Sequence, residues 1–148
     1  MRGTMKRALV LGAAAAALAA GPTALGAGSH SVDQTWQVHQ VSVEGGVTTD
    51  QGSVTGAPFG PGTVLLRSKA AGTTVQTTFT ERFPKGTVKG TIAISFTVVG
   101  AGKVRYSGHG SFTGGTGIYR NASGPIQSFT GANAGSKATL KIKGTVSY

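Results

Sequence analysis

The sequence has no cysteine, only four acidic residues and a single tryptophan in 148 positions. Without cysteine there is no disulfide scaffold, no thiolate nucleophile, no thiolate metal site and no anchor for a lipid. Helical periodicity is also missing beyond a single turn downstream of residue 26, so helix-based architectures are excluded. No H-E-x-x-H, G-x-S-x-G or phosphate-cradling loop occurs, and Gly102-Lys103 lacks the Ser/Thr and spacing that a phosphate loop needs. His30, His39 and His109 do not have the spacing of a metal site, and no cofactor is implied. One tryptophan gives no stacking array for bases, so nucleic acid is not an expected partner.

The N-terminus has the order of an export signal. Arg2, Lys6 and Arg7 precede the apolar run Ala8–Ala20, Gly21-Pro22 breaks it, and Ala24-Leu25-Gly26 offers small residues for cleavage. The run is too short to span a membrane, which takes about 20 residues. Residues 1–26 are therefore expected to be a cleaved signal peptide, and the protein to be secreted, with no membrane span. Residues 27–34 read as a flexible leader and 35–148 as one domain, large enough for one core. Removing the signal leaves 11 basic against four acidic residues, a net charge of +7. Lys137, Lys141 and Lys143 share one strand face, and Lys103 and Arg105 lie on another, as solvated strand faces do.

What the domain does contain is strand alternation punctuated by glycine. Thr35–Val43 changes apolar phase near His39-Gln40, which predicts a bulge. Glu44–Gly62, with six glycines and two prolines, reads as a long loop with at most one irregular strand. Thr63–Lys69, Thr73–Phe83, Thr87–Val99, Lys103–Phe112, Pro125–Gly131 and Ser136–Tyr148 alternate as strands, with a bend expected at Gly90. Short glycine turns join them, so neighbours are antiparallel. Either a sandwich or an up-and-down barrel fits this pattern, and pairing the last strand with the first would remove both edges.

Six of the chain's 25 glycines fall in Gly108–Gly124, GHGSFTGGTGIYRNASG. Gly108 and Gly110 take the inward phase, where the lack of a Cβ lets a strand coil or a neighbour approach. The stretch resembles the signature of the allene oxide cyclase and dirigent protein barrels. It has a G-x-G-x-F strand end (Gly108, Gly110, Phe112), then TGGTG (Thr113–Gly117), an aromatic (Tyr119) and an A-x-G turn (Ala122, Gly124). GTVKGTIAISF before it and GTVSY at the chain end resemble the flanking strands. The likeness covers roughly residues 60–148. It implies an all-β fold: a single eight-stranded antiparallel up-and-down barrel of the calycin-like type, often a homotrimer in plant members. It also implies an apolar small molecule enclosed and folded into one reactive shape, as in isomerase or cyclase and dirigent chemistry. The family's catalytic side chains lie outside the signature, and none carries over. A non-catalytic ligand-binding or cell-envelope interaction barrel is the alternative.

The interior phase supplies the candidate site. Glu81 shares a face with Val75 and Phe79; buried there, its carboxyl would have a raised pKa and serve as acid or base. Trp36, Phe79, Phe96, Tyr106, Phe112 and Tyr119 are the candidate cavity-lining residues, Tyr106 foremost because two glycines follow it in its phase.

Overall fold

The computed structural model describes residues 28–148, and the expected signal peptide lies outside them. Eight strands form a closed antiparallel barrel in chain order: β1 Ser29–Glu44, β2 Val47–Ala57, β3 Gly62–Ala71, β4 Thr74–Phe83, β5 Gly86–Gly100, β6 Lys103–Gly115, β7 Gly124–Ala134 and β8 Lys137–Ser147. The barrel alternative is the one observed. Closure is by β1 against β8, from Ser29↔Ser147 to His39↔Lys137, so neither terminal strand presents a free edge.

Two expectations are corrected. Residues 29–34 are not a leader: they are the first turn of β1 around the barrel, with Val32 and Gln34 buried against the interior. Their polar composition hides an inward/outward alternation that only the pairing with β8 makes visible. Nor is Glu44–Gly62 mainly a loop, because β2 occupies most of it. Thr48, Asp50, Gly52 and Val54 form its inward row, with one apolar side chain among four, too few to register as a buried face. The bulge in β1 is present, as a register shift between Gln40 and Ser42, and β5 shifts register between Lys89 and Gly90.

Up-and-down order places alternate connections at opposite ends. One end carries the tight turns at Gly45-Gly46, Gly72, Ala101-Gly102 and Gly135. The other carries the Phe59 loop, the Pro84-Lys85 turn, the glycine-rich corner and both ends of the described chain. This second end is closed by aromatic packing. The ring of Phe59 lies 5.1 Å from both Phe83 and Tyr119, and Tyr148 lies 5.0 Å from Tyr119 and 4.6 Å from His30.

The glycine-rich corner builds that closure. Thr116 donates its N–H to Thr87 O (2.9 Å), accepts from Thr87 N–H through Oγ1 (3.1 Å), and the two hydroxyls meet at 2.8 Å. Gly117 has φ of 65°, and a Cβ there would collide with Lys85 O, so the turn needs glycine. A short 3-10 turn, Gly117–Tyr119, follows and delivers Tyr119 into the aromatic plug.

Candidate functional site

Above the plug the lumen is filled by side chains for half its length. Trp36 from β1 packs between Phe79 (5.2 Å) and Phe129 (6.1 Å), and Phe112 meets Phe79 edge-on at 5.9 Å. Trp36, Phe79 and Phe112 are all buried, but they form solid core rather than cavity wall. Tyr119 is buried too, at the closed end. Phe96 differs more: it keeps the inward phase of β5 but lies beyond the body of the barrel and is 52% exposed. The reason is geometric. The β1–β2 and β5–β6 hairpins project past their neighbours on opposite sides of the ring, carrying Val41 and Val43 on one and Phe96, Val98 and Val99 on the other, all exposed.

Glu81 is fully buried, as its phase predicts, beside Gln34, whose amide Nε2 donates to Oε2 at 3.1 Å. Burial pushes its pKa up to about 8; the Gln34 hydrogen bond and then the nearby indole N–H of Trp36 favour the charged form and limit the rise. That indole makes no hydrogen bond, and neither do Gln34 Oε1 and Glu81 Oε1 among the described residues. Glu81 does not line a cavity, however: Phe79 occupies the layer above it on the same strand face. The interior acid is there, but not where a ligand entering from the open end would meet it.

The cavity itself, about 300 Å³, occupies the open half of the lumen. Val38, Leu66, Val75, Ile94, Phe129, Ala138 and Leu140 supply apolar wall, and Gln40, Thr48, Asp50, Ser68, Thr77 and Tyr106 supply polar groups. The floor is fixed: the Ser68 and Thr77 hydroxyls bond at 2.8 Å across β3 and β4. Of the aromatic candidates only Tyr106 lines this space. Gly108 and Gly110, in its phase, do not open room beside it: neither lines the cavity, and a Cβ on either would strike the backbone of β5, so they serve the close approach of β5 and β6.

Asp50 is the residue that sequence reasoning missed. It belongs to β2 and Tyr106 to β6, four strands away around the ring, so they approach the lumen from opposite sides. Burial raises the Asp50 pKa, with His39 partly offsetting the rise. Burial likewise raises the Tyr106 pKa, and the Asp50 charge adds to that. Such a pair provides a carboxyl that holds its proton more firmly than a solvated one and a phenol that stays protonated to donate. A usable signal was the β-branched content of VTTDQGSVT, which outweighs its glycine once pairing with β1 on both sides of its bulge is considered.

Among the described residues no group of three His, Asp or Glu gathers as metal ligands would, and no helix is long and apolar enough to cross a membrane. The fold and cavity define a closed small barrel with a blind, one-ended pocket. Comparison with protein-family models, curated proteins and solved structures finds no match to this chain.

Proposed function

We propose that the chain is an exported barrel that takes an apolar small molecule into the open-end cavity, in the manner of the allene oxide cyclase and dirigent-type barrels that its glycine signature resembles. The observation that carries this reading is a cavity of about 300 Å³ with Asp50 and Tyr106 on opposing walls. Preformed pockets of roughly this size, mostly apolar with a few convergent polar groups, are typical of ligand sites. In an isomerase or cyclase role Asp50 is the proton-transferring group and Tyr106 the orienting donor, while the apolar wall holds the substrate in one shape. A trimer, by the same resemblance, would leave this pocket one per protomer. A second reading, an interaction barrel of the cell envelope, draws on the exposed apolar residues of the two projecting hairpins.

One titration separates the two. N-phenyl-1-naphthylamine, neutral and apolar, should bind saturably at one site per chain. Trp36, the only tryptophan, lies one ring below the Phe129 wall and should transfer its emission to the bound probe. Ala138→Phe places a ring in the cavity and should weaken binding at least about ten-fold, with the β-sheet spectrum unchanged. Saturable binding that Ala138→Phe leaves intact, or no binding at all, removes the cavity reading and favours the second.

A further inference from the structure

The cavity and the outer surface have opposite electrical character. The described chain has 11 basic and four acidic residues, so its long-range field attracts anions. The cavity wall inverts this: it contains one carboxyl, Asp50, and no lysine or arginine. The eight lysines and arginines of β3, β5, β6 and β8 all take exposed, outward positions, and none turns into the lumen of the open half. Around Asp50 the other polar groups are suited to accept as well as donate. Gln40 is its direct cross-strand partner on β1, and Tyr106 opposes it. Phe129 offers a ring to the same space.

We infer that the ligand is a cationic amphiphile, an ammonium group on an apolar body, with the ammonium held by Asp50. This deepens the small-molecule reading above and rests on it. A carboxylate or phosphate head group placed in this cavity would face Asp50 with no lysine or arginine on the wall to offset its lost hydration, since the cation that acts on Asp50, His39, is exposed and outside the cavity lining. An ammonium is compensated by the carboxylate. Its remaining protons can go to the Gln40 amide oxygen and the Tyr106 oxygen, and a ring such as Phe129 favours a neighbouring cation. Burial disfavours the Asp50 carboxylate in the unliganded cavity, and a bound ammonium is the group that would restore it. The apolar body then fills the wall formed by Leu66 and Leu140.

The test uses three probes with one naphthalene body, 1-naphthylmethylammonium, 1-naphthalenemethanol and 1-naphthoate, titrated against the protein by calorimetry. The ammonium should bind about ten-fold more tightly than the alcohol and the carboxylate most weakly, although the surface charge favours the reverse order. Asp50→Asn should weaken the ammonium until it lies within about two-fold of the alcohol; Asp50→Ser serves if the asparagine variant does not fold. Equal binding of ammonium and alcohol by the wild type, or tightest binding of the carboxylate, overturns the cation preference and leaves the small-molecule reading standing. If none of the three binds, and N-phenyl-1-naphthylamine does not either, the small-molecule reading itself fails.

Discussion

Replacing Glu81 by glutamine should make the barrel markedly more stable than the wild type at pH 8 and above, and should flatten its stability between pH 4.5 and 8. In the unfolded chain this carboxyl titrates near its ordinary value of 4.5; inside the barrel burial pushes it up to about 8. Between those limits the folded chain keeps a proton that the unfolded chain has lost. Unfolding therefore releases a proton, and rising pH favours it. The stability associated with the neutral carboxyl is fully present below pH 4.5, falls through the window and is gone above about 8. The slope is at most about 1.4 kcal/mol per pH unit, which accumulates to a loss of at most about 5 kcal/mol. Glutamine keeps the volume and the partnership with Gln34 and carries no charge at any pH. Urea unfolding of both proteins at pH 5, 6.5 and 8 checks this. The wild type should lose stability at each step, and Glu81→Gln should retain only the smaller slope due to Asp50, whose raised pKa acts in the same direction. Parallel slopes in the two proteins would mean that the carboxyl is solvated.

This places Glu81 differently from its sequence-based role. An interior carboxyl on the Val75–Phe79 face was legible because strand alternation determines which side of the sheet a residue occupies. Depth along the barrel axis was not legible, since it depends on the stagger between strands, which no single strand encodes. Glu81 and Thr77 share one face of β4, yet one lies in solid core and the other in the cavity wall. The same ignorance of depth explains Phe96, correctly phased but beyond the barrel's body, and Trp36, Phe79 and Phe112, buried without lining the cavity. Asp50 was hidden for another reason: glycine and proline on either side of β2 made the whole segment read as loop. The closing Phe59 went unseen with it, because a lone aromatic between two prolines carries no periodicity. A change of alternation phase revealed the bulge in β1, a glycine inside a strand marked the register shift at Gly90, and the need to remove free edges pointed to the pairing of first and last strands. The cavity, which is a property of eight strands at once, had no local signature.

The glycine-rich corner should be separable from the cavity by a single methyl group. At Gly110 an added Cβ would collide with Thr91 O and come within 2.8 Å of Ile92 Cα, both backbone atoms of β5. No rotamer change relieves such a contact, so β5 and β6 would have to move apart along a ladder that extends from Val88↔Gly115 to Gly100↔Lys103. Gly110→Ala should therefore cost at least about 3 kcal/mol, roughly 10 °C in Tm for a domain of this size. Gly100→Ala is the matched control, on the same pair of strands with nothing within 4 Å of the added methyl, and should change stability by under about 0.5 kcal/mol. Gly110 is not among the cavity-lining residues, so the folded fraction of Gly110→Ala should bind N-phenyl-1-naphthylamine within about three-fold of wild type at low temperature. Thermal unfolding together with the probe titration decides the matter. Loss of stability with affinity retained assigns these glycines to strand coiling and barrel closure. Loss of affinity in a fully stable variant would instead put the corner into the ligand site, and ligand recognition would have to be sought along β6 rather than at Asp50.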